Sequence, residues 1–194
     1  MTRNRALVAL AVALAAVALL VSARRPGRAP AAASGPPGTA VVTRVVDGDT
    51  IDVRLAGVVE RVRLIGIDTP ESVKPRTPVE CFAKEASART AALVPPGTVV
   101  RLVRDVEARD KYGRLLAYVY RARDGDFINL SLAREGDAGP LTIAPNVAHA
   151  EEVAAAVGQA RQARLGLWGR CAGPHDPGPS RSPPAAARPY SGPP

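Results

Sequence analysis

Asp47-Gly48-Asp49-Thr50 and Ile67-Asp68-Thr69-Pro70-Glu71 carry the carboxylates best placed to do chemistry. Arg63 stands between them in the chain, and Arg114 follows Lys111-Tyr112-Gly113. Acids gathered on fixed turns suit a hard cation, and oxygen-only donors favour calcium or magnesium over zinc. Two carboxylates about 4 Å apart repel by roughly 4 kcal/mol at an effective dielectric of 20, a penalty that a divalent cation removes. Arginines aimed at such a pocket suit a phosphate, which they grip through paired N–H donors. A metal-assisted phosphodiester site is the chemistry these residue types allow. Each piece alone has a plainer reading. Asp-Gly is a common hairpin turn, a lone arginine usually makes a surface ion pair, and an exposed glutamate usually only solubilises. The first acidic run also lacks the further acids and distal glutamate of an EF-hand.

The elements that must position these residues form a β-rich pattern. Val41–Val46 is β-branched, Asp47–Thr50 reads as a tight turn, and Ile51–Leu55 alternates cleanly before Ala56-Gly57 turns the chain into Val58–Ile67. Those three strands form a meander that should place Asp49 and Asp68 on neighbouring strands. Arg63 falls four residues before the tip of the third strand, and Pro70 stops it because proline has no N–H and forces Thr69 to extend. Phe82–Leu93 reads as a helix ended by Pro95-Pro96-Gly97. Thr98–Val103 and Leu115–Tyr120 are two further strands, with a polar loop or solvated extension over Asp105–Arg114. Asn129–Glu135 suits a short helix. Val147–Leu165 suits the longest one, with Val147, Ala150, Val153, Ala154 and Val157 on one stripe and Gly166 as its stop. Five strands with a helix between the third and fourth is the layout of an OB-type barrel, an α+β fold that is mainly β.

The formal charge is +8, from 26 basic and 18 acidic residues. Seven of the arginines and one aspartate lie in the terminal segments, and without them 19 basic and 17 acidic residues remain, a net of +2. Bulk charge is therefore weak evidence for a nucleic-acid partner, and placement must carry that argument. Residues 6–23 are apolar except for Ser22 and follow Arg3 and Arg5, the layout of a secretory signal with Val21-Ser22-Ala23 offering small residues for cleavage. Eighteen residues rise about 27 Å as a helix, so an uncleaved membrane anchor is the alternative for residues 1–23. Either way the expected location is secreted, or anchored to the outer face of the cell membrane. Residues 24–38 read as a linker, 39–171 as the organised domain, and 172–194, with eight prolines, as a disordered tail. The cysteines, Cys81 and Cys171, are too few for a zinc cluster. They read as one disulfide or as reactive thiols, and export favours the disulfide.

With these motifs in hand, the chain resembles the thermonuclease, or staphylococcal-nuclease-like, domains. The resemblance rests on Asp47–Thr50, Arg63–Glu71, Glu85-Ala86-Ser87, Asp110–Tyr118, Asn129–Gly136, Pro145-Asn146 and Gly166-Leu167-Trp168, and covers about residues 40–171. It implies an OB-fold five-stranded barrel with three α-helices. It further implies one Ca2+ held by the Asp49 and Asp68 side chains and the Thr69 carbonyl, with Asp47 standing behind them. Glu71 would position or activate the attacking water, and Arg63 and Arg114 would grip the scissile phosphate. Lys111 and Tyr112 would touch a flanking phosphate. The implied reaction is hydrolysis of DNA and RNA to 3′-phosphate and 5′-hydroxyl ends, by a chain expected to act as a monomer. The chain departs from the family near Leu141–Pro145, where tyrosines that stack on the nucleotide are often found, and Asp137-Ala138-Gly139-Pro140 is likewise unusual. A catalytically inactive OB-fold module that binds nucleic acid is the rival from another class, and a wall-polymer-binding OB domain is a third reading. Neither explains why Asp49, Asp68, Glu71, Arg63 and Arg114 all stand together.

Overall fold

A computed structural model describes residues 38–72 and 78–176 of the 194. The expected signal or anchor over 1–23, the linker up to residue 37 and the tail beyond 176 lie outside the described residues. No helix among the described residues is long and apolar enough to cross a membrane.

Strands β1 (Thr39–Asp47), β2 (Thr50–Leu55) and β3 (Val58–Leu64) form the meander. Strands β5 (Val99–Val103) and β6 (Leu115–Arg121) close it into a barrel of order β1-β2-β3-β6-β5. β3 and β6 pair in parallel, with Arg63 opposite Leu116, and β1 pairs antiparallel with β5 to complete the ring. The period-2 pattern explains why the ring closes on an apolar interior. Val42, Ile51, Val53, Val62, Leu64, Val100, Ala117 and Val119 are all buried. On the flank of the meander, Arg44 and Arg61 both pair with Asp52. Burial would raise the Asp52 carboxyl, but the Arg61 and Arg44 guanidiniums hold it below its ordinary value.

The third strand does not run unbroken to Ile67 as the sequence suggests. It stops at Leu64, so Arg63 is one residue from its end. The chain then departs as β4 (Gly66–Asp68) to pair with β7 (Gly139–Leu141), outside the barrel. Asp68 therefore does not lie on a strand next to that of Asp49, and β7 is an element that the pattern does not show. Pro140 explains why: an isolated Gly-Pro-Leu carries no alternation and only two N–H donors. Asn129 secures the departure. Its side-chain amide donates to the Ile65 carbonyl at 2.8 Å, and its oxygen accepts from the Val119 amide at 3.0 Å.

Helices α1 (Ala83–Leu93), α2 (Ile128–Glu135) and α3 (Ala150–Gln162) complete the α+β architecture. α3 is shorter than the sequence suggests and is rotated about its axis. Val153, Ala156, Val157 and Ala160 face inward, whereas Ala154 and Val147 are exposed. Val147–His149 forms a turn instead, because the Ala148 amide is held by the Asp105 carboxylate at 2.9 Å.

Between α2 and β7, burial pushes the Asp137 carboxyl up to about 6, aided by the Glu135 charge and opposed by Arg89. A carboxyl raised from 3.8 to about 6 binds more protons folded than unfolded in that window. Its contribution to stability is therefore most favourable at low pH and is lost as pH rises from about 4 through about 6. Asp137→Asn is expected to flatten that part of the stability–pH curve and to stabilise by up to about 3 kcal/mol at pH 7, since each unit is worth about 1.4 kcal/mol. Urea melts of both proteins at pH 4.5 and 7 check it. Equal pH slopes would show that Asp137 titrates normally.

Candidate active site

The tip of the β1–β2 hairpin meets the end of β4 because the turn residues have almost no bulk. A Cβ on Gly48 would lie 2.5 Å from the Thr69 hydroxyl oxygen, a distance no side chain tolerates. On its other side the Gly48 carbonyl accepts the Thr90 hydroxyl of α1 at 2.6 Å. Asp49, buried by this approach, accepts the Thr69 amide and hydroxyl on Oδ2 at 2.9 and 3.0 Å, and the Thr50 hydroxyl on Oδ1 at 3.2 Å. The Asp49 carbonyl takes the Leu64 amide at 2.8 Å, which registers the turn against β3.

From β3, Arg63 reaches both metal-type acids. Its Nη2 donates to Asp68 Oδ1 at 2.9 Å, and its Nη1 abuts Asp49 Oδ1. That second contact is an ion pair, so both terminal nitrogens of Arg63 face carboxylates. Burial draws the Arg63 pKa down, while the Asp68 and Asp47 charges oppose the fall and Arg114 adds to it. The Asp47 carboxyl is raised by burial and by the Glu71 charge, against the pull of Thr50 and Arg63.

A cavity of about 230 Å³ opens over these groups. Asp47, Asp49, Asp68 and Glu71 line it, together with Thr69, Arg63 and Arg114, so the expected ligand and catalytic residues converge on one space. Thr69 spends its amide and hydroxyl on Asp49, which fits a ligand role for its carbonyl rather than its hydroxyl. The donors are hard oxygens apart from the His175 imidazole, and five carboxyl groups, counting Glu80, face two guanidiniums. That charge balance and donor chemistry fit a divalent cation of the calcium type.

Arg114 is placed by Asp110, which accepts its Nε at 2.6 Å and its amide at 3.0 Å. Lys111 and Tyr112 do not enter the acidic cavity. They line a neighbouring one of about 390 Å³, walled by apolar Leu141 and Ile143, and Arg63 and Arg114 border both spaces. Tyr112 is exposed, with Lys111 Nζ 5.1 Å and the Arg114 guanidinium 5.6 Å from its ring centre.

Two residues of the acidic cavity escape a reading of the sequence, Glu80 and His175. Glu80 forms a reciprocal pair with Glu71. The Glu71 amide donates to Glu80 Oε2 at 2.7 Å, and the Glu80 amide donates to the Glu71 carbonyl at 3.0 Å. His175 Nε2 lies 2.9 Å from Asp68 Oδ2, and Nδ1 lies 3.5 Å from Glu80 Oε1. Cys81 and Cys171 form a disulfide, so residues 172–176 are brought back to the pocket although their composition assigns them to the tail. Glu80 beside Cys81, and His175 four residues after Cys171, are the signal that was there to find.

Gly48→Ala is expected to force Thr69 away from Asp49, lowering stability by about 2 kcal/mol as overpacking does and removing most activity with it. Denaturant melts and a turnover assay check both. An unchanged unfolding midpoint would show that Thr69 yields freely.

The family described as staphylococcal nuclease homologue matches residues 61–170. That span takes in Arg63, Asp68, Thr69, Glu71, Lys111, Tyr112 and Arg114, while Asp47 and Asp49 precede it. A thermonuclease of Staphylococcus intermedius is 44% identical over 130 residues, covering 67% of this chain and 76% of the relative. A thermonuclease of Staphylococcus hyicus is 42% identical over 127 residues, 66% and 73% of the two chains. The SPbeta prophage-derived endonuclease YokF of Bacillus subtilis is 38% identical over 128 residues, 66% of this chain and 43% of its own. With the barrel, the acidic cavity and its two arginines in place, the chain belongs to the staphylococcal nuclease family and is a hydrolase of the nuclease type.

Proposed function

We propose that the chain hydrolyses phosphodiester bonds of DNA and RNA with the help of calcium, leaving 3′-phosphate and 5′-hydroxyl ends. The observation that carries this reading is the shared border of the two cavities. Arg63 and Arg114 face acids on one side and an aromatic-rimmed apolar space on the other. A nucleotide laid across them would put its phosphate over the acids and its base against Leu141, Ile143 and Tyr112.

Calcium held by Asp49, Asp68 and the Thr69 carbonyl would supply Lewis-acid stabilisation of the phosphate oxygens. Thr69 and Thr50 hold Asp49 oriented, and Asp47 supports the turn behind it. Glu71, its backbone fixed by Glu80, orients a water and accepts its proton as the oxygen attacks phosphorus. The bond from phosphorus to the 5′-oxygen breaks on the far side, the leaving 5′-oxygen takes a proton from solvent, and the phosphate stays on the 3′-oxygen of the upstream strand. Arg63 and Arg114 donate to the equatorial oxygens, where charge accumulates. Lys111, exposed at the rim, would take a flanking phosphate beside Tyr112.

The disulfide favours an oxidising compartment, so we place the working enzyme outside the cell as a monomer, secreted or held at the membrane by residues 6–23.

Plasmid DNA and RNA should both be cut with calcium present, and a chelator should abolish cutting until calcium is restored. Cleavage that survives the chelator would overturn the metal role. Arg114→Lys keeps the charge but loses the paired donors, so turnover should fall by about a hundredfold or more. Near-normal turnover in that variant would remove Arg114 from the reaction.

A further inference from the structure

The geometry points to an intrachain competitor for the cation site: the short arm of residues 171–176 seats His175 on Asp68, and an entering divalent cation must displace it. This rests on the reading of Asp68 as a metal ligand.

The arm is anchored at several points. The Cys81–Cys171 disulfide fixes its start, with the two Cα atoms 6.0 Å apart. At its other end, the Asp176 carbonyl accepts the Cys81 amide at 2.8 Å, and the Asp176 carboxylate accepts the Ala172 amide at 2.8 Å. Between these ties, Pro174 packs on Gly139, where a Cβ would lie only 2.6 Å from the proline Cγ. Gly139 is the register partner of Asp68 in the β4–β7 pair. The arm is thus moulded onto the strand that backs the acid it covers.

His175 touches carboxylates at both ring nitrogens, Asp68 at 2.9 Å and Glu80 at 3.5 Å. Asp68 Oδ1 is taken by Arg63, so Oδ2, the oxygen nearest the imidazole, is the one a cation would need. Calcium binds carboxylate oxygens at about 2.3–2.6 Å, so a cation and the imidazole nitrogen compete for this one oxygen. The His175 side chain is otherwise 71% exposed, so it can swing out while its anchors stay. Held four residues from a covalent tether, the ring keeps a high local concentration at the site. An arm docked nine-tenths of the time weakens apparent cation affinity about tenfold, because only the open fraction binds.

Calorimetric titration of the full chain with calcium, without substrate, tests this on binding alone. The parent protein, His175→Ala and Gly139→Ala are compared, with Asp68→Ala as the control that loses the site. Both His175→Ala and Gly139→Ala should bind calcium about tenfold more tightly than the parent. Gly139→Ala acts by pushing Pro174 off its seat and leaves every carboxylate intact. Unchanged affinity in His175→Ala overturns the proposal, and weaker affinity overturns it by making the imidazole a ligand. If neither the parent nor His175→Ala binds calcium, it is the metal reading that has failed, and this inference falls with it.

Discussion

Thr69 gives both its amide and its hydroxyl to one oxygen of Asp49, and the site depends on that pair of bonds. β4 has left the barrel by then, so no sheet ladder registers Asp68 or Glu71 against the hairpin tip. The two hydrogen bonds replace that ladder. Bonds to a charged acceptor contribute about 1.5–3 kcal/mol each. They act only if Thr69 comes very close, which requires Gly48 to present no side chain. Glycine, threonine and aspartate thus form one device that sets the distance between the turn and the loop carrying Glu71.

The barrel was largely legible in the sequence because its strands alternate and their turns carry Asp-Gly and Ala-Gly. The departures came where a local signal was outweighed by a distant partner. Leu64-Ile65-Gly66-Ile67 reads as continuous strand, and only the buried Asn129 amide on the Ile65 carbonyl reveals the break. Val147 fits a helical stripe, yet Asp105 captures the next amide and delays the helix. The acids and arginines of the site were legible as types on turns, because each lies within a few residues of a Gly or Pro that shapes the chain. Glu80 and His175 were not, since their approach to Asp68 and Glu71 is enforced by a covalent link between residues 90 apart.

That link shapes more than the end of the domain. On the chain-entropy model, closing a loop of this size stabilises by about 4–5 kcal/mol. Its location matters as much as its magnitude. Cys81 follows Glu80, whose carboxylate holds the Glu71 amide, and it precedes α1, whose Thr90 holds the Gly48 carbonyl. One staple therefore braces the segment that carries Glu71 and the helix that supports the turn of Asp49.

Arginine chemistry is used twice in this barrel, and burial separates the two uses. Arg44 and Arg61 share the buried Asp52 with side chains 60% and 48% exposed, so both guanidiniums keep much of their hydration while they neutralise it. Arg63 is only 12% exposed and shares Asp49 and Asp68. Desolvating a guanidinium is costly unless opposite charges offset it, and here two carboxylates do so. In the proposed reaction a phosphate would become the acceptor of Arg63 while a cation took over the neutralisation of the two aspartates. Arg63 would then exchange carboxylates for phosphate oxygens without leaving its place. Its burial on the wall of the acidic cavity is the physical reason to regard it as poised for a phosphate, and Arg44 and Arg61 as part of the frame.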